Sequence, residues 1–412
     1  MPLIRPFAGL RPAAGRAAEV IAPPYDVLST DEARVRAAGK PWSFLHISKA
    51  EIDLPPATDP HAPEVYATAA ANLRRMLAAG TLARDTTPCY YVYRIVMGSH
   101  SQTGLVAAAS VAAYERNRIR RHELTRPDKE DDRVHQIDAL NAQTGPVLLA
   151  YPAAPGIDTI LAAAADGAPD ADATADDGVR HLLWVMRDPA TIARVTAAFD
   201  ALPALYIADG HHRSAAAARV CAARRSAAAA HSGKESYNYF LSVVFPHHQL
   251  RILDYNRVVA DLNGMSREEF LRRVAANFSV DPSNAPVNPA RHGEFGLYLA
   301  GEWHRLTIRR ELIPQDPVQR LDVSLLTDHL LAPVLDIHDL RRDRRIDFVG
   351  GIRGLAELQK RVDASEMAAA FSLYPTTMED LMAVADAGEI MPPKSTWFEP
   401  KLADGMVSHV LD

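Results

Sequence analysis

Along this chain, stretches with apolar residues at every second position, or in short unbroken runs, alternate with stretches whose apolar residues recur every three or four. The first kind predicts strands and the second predicts helices. Strand patterns fall at 20–21 (VI), 44–47 (FLHI), 89–98 (CYYVYRIVMG), 104–114 (GLVAAASVAAY), 147–151 (VLLAY), 181–188 (HLLWVMRD), 205–208 (LYIA), 237–246 (YNYFLSVVFP) and 250–259 (LRILDYNRVV). Helix patterns fall at 31–38, at 62–79 with Gly80 as the stop, after Thr125, at 190–202, and from Ser214 through an alanine-rich run. The helix after Thr125 has Pro127 at its first position and Asp128 three residues after Thr125, a capping-box start, and stops at Asn141–Gly145–Pro146. Tight turns at Gly98–Gln102 and Gly301–Glu302 predict hairpins within this alternation. Strand–helix alternation broken by hairpins implies an α/β protein, α+β in part, with mixed sheets and packed helices.

After Asn263–Gly264 the pattern changes. Helices are expected at 266–278, 322–335, 354–362 and 378–388, a hairpin at 295–308, and strands at 346–351 and 368–375. The chain therefore reads as an N-terminal α/β domain, 1–263, and a C-terminal α/β domain, 264–412. Residues 165–178 are small and acidic and read as a surface loop, and His247 and His248 read as a hairpin loop.

Composition narrows the class. A chain of 412 residues with 48% hydrophobic and 23% charged residues has ample core for a globular protein. The formal net charge of −6 argues against nucleic acid as the main partner. The two cysteines, Cys89 and Cys221, are far apart and suggest neither a disulfide framework nor a thiolate-bound metal. No run approaches membrane-spanning length and the N-terminus lacks a signal pattern, so a cytoplasmic protein with no membrane partner is expected. A homodimer is compatible with all of this.

The candidate chemistry gathers at 205–222, LYIADGHHRSAAAARVCA. A buried strand ends at Ala208, Asp209 and Gly210 turn the chain, and the alanine-rich helix follows. The first amides of a helix have no intrahelical acceptor and sit at the positive end of its dipole, so such a corner binds anions. Gly210, His211, His212, Arg213 and Ser214 stand at this corner, and Arg213 adds a planar fork suited to phosphate. Asp209 can cap the helix or hold magnesium. A second cluster, 119–151, carries His122, Glu123 and Arg126 before its helix, with Lys129, Arg133 and Gln136 on one face of it. Together these suit phosphate binding and proton transfer, or alternatively a solvated helix whose charges pair with neighbours. Pro23–Pro24 present Tyr25 and Asp26 at a strand end, as a site or as a rigid turn. Lys394, Ser395, Thr396 and Lys401 read as an anion-binding turn or as an edge strand with solvated lysines.

The segments IRPFAGLRP, IAPPYDVLS, FLHISKAEIDLP, HELTRPDKEDDR, LYIADGHHRSAAA and MPPKSTWFEPKL resemble, in that order, a prokaryotic family catalogued as domain of unknown function 1015. Members are often encoded beside serine-biosynthesis enzymes, which points to serine or phosphoserine metabolism. The segment DGHHR, 209–213, is also similar to the phosphate-binding motif of the ParB/sulfiredoxin-like superfamily, and in particular of its free serine kinases. That resemblance implies a ParB/sulfiredoxin-like core and a nucleotide, ATP or ADP, with Mg2+. It further implies Gly210, His211, His212, Arg213 and Ser214 on the phosphates, and Asp209 on the metal or the substrate. The glutamate base of those kinases has no aligned counterpart, which leaves Asp26 and Glu123 as candidates. The function expected is a nucleotide-dependent kinase or phosphotransferase acting on serine or a related small amino acid. Alternatives are a phosphoserine-type phosphatase and a nucleotide-gated binding protein of the ParB type. The stretches around Asp26, Glu123–Arg133 and Asp209–Ser214 are expected to converge on one pocket, with Lys394–Thr396 as a fourth wall.

Overall fold

In the computed structural model, which describes residues 2–411, the chain divides into two units. One comprises the chain up to Leu250 together with the return from Pro400 onward, and the other is Arg251–Glu399. The division thus falls before the Asn263–Gly264 turn, and the closing segment belongs with the first unit. The reason is pairing. The apolar run 250–259 breaks into Arg251–Leu253, paired with Trp397–Glu399, and Tyr255–Val259, paired with Ile346–Gly350 and Ala369–Leu373. Hydropathy marks a strand but not its partner.

The first unit is built on a nine-stranded mixed sheet, as the α/β pattern requires. From one edge it runs Ile119–Arg120, Leu205–Asp209, Val147–Tyr151, Tyr239–Pro246, His100–Ser110, Tyr90–Met97, Arg180–Met186 and Ala171–Thr174, with Ile4–Arg5 also paired to His100–Ser110. Tyr90–Met97 and His100–Ser110 form the expected hairpin. Tyr239–Pro246 runs parallel to Val147–Tyr151, whereas Leu205–Asp209 runs antiparallel to it. Strands buried on both faces read as continuous apolar runs, as VLLAY and YFLSVVFP do. One core gathers Leu105, Leu149, Phe199, Ile207 and Phe240. A separate core under the N-terminal helices gathers Val20, Phe44, Ile47, Leu73 and Met76. A small cluster of Ile137, Ala216, Val220 and Leu411 joins helix Pro127–Leu140 to helix His211–Ala227.

Several expected elements differ. Val20 ends a short helix, Ala17–Val20, and FLHI enters another, Leu45–Ser48. Short apolar runs suit a buried helix as well as a strand, and here the N-terminal core decides. Helix Pro127–Leu140 starts with Pro127 as expected, but its N-cap is Arg126 and no side chain caps it. The Thr125 hydroxyl donates to Glu130 instead of receiving an amide. The acidic stretch 165–178 contains an edge strand, Ala171–Thr174, paired with Arg180–Met186. His247 and His248 lie in a short helical turn that is not a hairpin, because the strands flanking it pair elsewhere.

The second unit has a six-stranded antiparallel sheet in the order Phe278–Ser283, Glu302–Ile308, Glu294–Leu299, Ala369–Leu373, Tyr255–Val259, Ile346–Gly350. Helix Gly354–Asp363 covers it through Leu358 and Val362, against Val258, Tyr298, Trp303 and Val349. Lys394 and Ser395, expected beside the phosphate corner, belong to this unit. The Lys394 carbonyl accepts from the buried Arg257 at 3.0 Å, and the Ser395 hydroxyl donates to the Pro392 carbonyl at 2.7 Å. Side-chain donors on the carbonyls thus fix this turn, with the Thr376 hydroxyl donating to the Ser395 carbonyl at 2.8 Å.

Candidate functional site

The corner at 209–214 is assembled by a slip and a glycine. The pairing of Leu205–Asp209 with Val147–Tyr151 shifts register between Ile207 and Asp209, which brings Asp209 opposite Leu148. Gly210 then takes a left-handed φ of 97°, and the helix begins at once with His211. A Cβ on Gly210 would lie 3.1 Å from Arg213 Nε and 3.3 Å from the Val147 Cα. The helix starts three residues before Ser214, so His211, His212 and Arg213 form its first turn.

Arg213 is the centre of charge. It is only 8% exposed. One terminal nitrogen donates to the Pro146 carbonyl, and the other lies 3.5 Å from Asp26 Oδ2 and 3.8 Å from Asp209 Oδ2. Burial alone lowers its pKa, but Asp26 and Asp209 outweigh that, and the guanidinium is held more firmly charged than usual. Asp209 does not cap the helix; its carboxylate lies 3.5 Å from Lys401 Nζ. Burial raises Asp209, yet Lys401 and Arg213 prevail and lower it well below the usual carboxylate range. A carboxylate facing two cations does not fit a resident magnesium ion, which needs an oxygen shell. Ser214 is turned inward, its hydroxyl donating to the His211 carbonyl at 3.0 Å, and does not face the corner as a phosphate ligand.

Arg133 lines one cleft with Arg213. Its guanidinium lies 3.8 Å over the Tyr25 ring and pairs with Asp132 at 2.8 Å. Asp132 in turn receives the Tyr66 hydroxyl at 2.8 Å. Burial pushes the Tyr25 hydroxyl up to about 12, against the pull of Arg133. Ser48, Gly145 and Asp404 also line the cleft. Among the described residues, Ser48 Oγ and Asp404 Oδ1 are buried with no hydrogen-bond partner. Burial raises Asp404 to about 7 despite Arg213 and Arg133, and Asp26 adds to the rise. The cleft therefore offers two planar forks, a hydroxyl and a carboxyl that changes charge near neutral pH. It can hold an oxyanion and exchange a proton beside it.

The other expected residues, Gln136 apart, separate from this cleft. Gln136 lines it and donates to the Ile47 carbonyl at 2.9 Å. Lys129, on the same helix, is exposed and not among the lining residues. The Arg126 side chain pairs with Asp128 at 2.8 Å in solvent, while its backbone amide donates to His212 Nε2 at 3.1 Å. Burial lowers His212. Glu123 lies 3.5 Å from His211 Nδ1, and the His211 and His122 rings stand edge to face at 4.5 Å. Burial lowers His122 to about 4 and His211 well below its usual value, so both are neutral. Asp26 and Asp209 thus stand beside Arg213, which lines one cleft with Arg133, whereas the side chains of Arg126 and Lys129 are exposed. Ser48, Gly145 and Asp404 were not anticipated. Ser48 and Asp404 fall in or beside the motif segments FLHISKAEIDLP and MPPKSTWFEPKL, and that proximity is the only trace they leave in the sequence.

A family model for a protein family of unknown function, DUF1015, matches residues 4–324. The chain belongs to this family. No curated protein matches the chain. Among solved structures, a free serine kinase in complex with AMP matches with 13% identity and a TM-score of 0.34, covering 71% of this chain and 86% of that one. A conserved hypothetical protein from Pyrococcus furiosus matches with 14% identity and a TM-score of 0.34, covering 73% of this chain and 93% of that one. SbnI with a C-terminal truncation, from Staphylococcus aureus, matches with 10% identity and a TM-score of 0.36, covering 73% and 85%. Likeness this distant says nothing of chemistry. No helix among the described residues is long and apolar enough to cross a membrane.

Proposed function

We propose that this family member is a nucleotide-dependent phosphotransferase acting on the hydroxyl of a small amino acid, with L-serine the first acceptor to try. The observation that carries the reading is the pairing of Arg133 and Arg213, two largely enclosed guanidiniums, on one cleft at the start of helix His211–Ala227. Phosphoryl transfer asks mainly for positioning and for cations around the transferred group. Planar forks meet phosphate oxygens two at a time, and the free amides of a helix start add to them. The DGHHR resemblance to free serine kinases supports the same assignment.

In this scheme a phosphate of ATP or ADP engages Arg213 and draws it from Asp26, 3.5 Å away. Asp26 then accepts the proton of the acceptor hydroxyl. The hydroxyl oxygen bonds to phosphorus, and the bond to the nucleotide's leaving oxygen breaks, that oxygen keeping the electron pair. Magnesium, if supplied with the nucleotide, would neutralise phosphate charge, and no residue of the cleft is assigned to it.

The test is ³¹P NMR of the purified protein with Mg2+, L-serine and either ATP or ADP. O-phosphoserine is expected. Arg213→Lys keeps the charge but loses the fork, and nucleotide affinity should fall about tenfold or more with the circular dichroism unchanged. Arg213→Ala is the wrong probe, because stranding its carboxylates costs about 3–5 kcal/mol of stability. The absence of both product and nucleotide-dependent thermal stabilisation would refute the reading. Binding without turnover would favour a nucleotide-gated binding protein, and phosphate release from phosphoserine without nucleotide would favour a phosphatase.

A further inference from the structure

We propose that His122, Glu123 and His211 form a binding site for a divalent transition-metal ion of the zinc class. One ligand atom from each of the three lies within 4.8 Å of the others. Zinc takes nitrogen and carboxylate oxygen at about 2.0–2.2 Å, so closing the site needs a contraction of about 1 Å. The movable member is Glu123, whose side chain is 49% exposed, while His122 and His211 are 2% and 3% exposed.

The second observation is the state of His122. Its ring is 2% exposed, and its Nδ1 is buried with no hydrogen-bond partner among the described residues. In the tautomer protonated at Nε2, Nδ1 offers its lone pair to an ion. His211 is held loosely: the His122 amide reaches its Nε2 at 3.5 Å, and Nδ1 faces Glu123 at 3.5 Å. A small turn of the ring presents a nitrogen to the ion. Two imidazoles and one carboxylate select zinc, cobalt or nickel over magnesium and calcium, which prefer oxygen shells. Three protein ligands also leave one coordination position for water or a ligand oxygen.

The proposal stands apart from the phosphotransferase reading, because it is tested without nucleotide or acceptor. The full chain, stripped with a chelator and dialysed against Zn2+, should retain one ion per chain by elemental analysis. Co2+ in its place should give the intense visible bands of a four-coordinate site. His122→Ala and His211→Ala should abolish retention, and Glu123→Gln should weaken it about tenfold or more. Glu123 is at the surface, so its variant should keep the wild-type unfolding temperature in chelator. Less than stoichiometric zinc in the wild type overturns the proposal. Should the buried histidine variants fail to fold, Glu123→Gln decides alone, and unchanged affinity in it also overturns the proposal.

Discussion

Asp404 shows how much of this site is set by the surroundings of one side chain. It is 1% exposed, one of its oxygens has no partner among the described residues, and burial raises it to about 7 against two guanidiniums. The folded value lies above the unfolded one, near 3.9. The stability Asp404 contributes is therefore fully present below about pH 4 and is lost as pH rises through 7. The loss amounts to at most about 4 kcal/mol. Asp404→Asn should flatten the fall in stability between pH 4 and pH 7, read from urea unfolding of both proteins at several pH values. Parallel pH profiles would show that the carboxyl is ionised throughout. Arg213 teaches the companion lesson. Its sequence context suggests an open phosphate hand, yet in the fold it already balances Asp26 and Asp209. A ligand must exchange with those partners, so affinity depends on the carboxylates as much as on the arginine.

Among the elements, the strand–turn–helix corner depends on Gly210. Its φ of 97° is strained for any residue with a side chain, and a Cβ would press on Arg213 and on the Val147 backbone. Gly210→Ala should lower stability by about 1–3 kcal/mol and weaken nucleotide binding together, because the same atoms set both. The control is Gly145→Ala, where the nearest atom is Arg213 Cδ at 3.3 Å and φ is not positive. A thermal melt and a nucleotide titration of each variant check this; equal effects would mean that the left-handed turn is not the cause. Long periodic elements such as Pro63–Ala78 and the hairpin Tyr90–Met97/His100–Ser110 were legible because each repeats its pattern several times. The run FLHI at 44–47 reads as a strand but enters helix Leu45–Ser48, because one turn of apolar residues has no period to measure. The missing cap on Pro127–Leu140 has a related cause, since the Thr125 hydroxyl found Glu130 instead of an amide.

At the scale of the molecule, Arg251–Glu399 is a continuous segment with its own sheet and its own core. Excised, it should fold by itself, giving a cooperative urea transition and native-like circular dichroism; a broad, non-cooperative curve would contradict this. The sequence by itself determined the class of the fold, most of its longer elements and the strand–turn–helix corner at Asp209–Ser214, because each is written in residues a few positions apart. Tertiary structure alone decided that Arg133 lines one cleft with Arg213, that Lys401 neutralises Asp209, and that Asp404 and Ser48 close the cleft. It also sent Lys394 and Ser395 to the other unit. The physical reason is range: propensity, periodicity and capping act over one or two turns of chain. Burial and charge pairing act through space, between residues whose separation in the sequence carries no record of it.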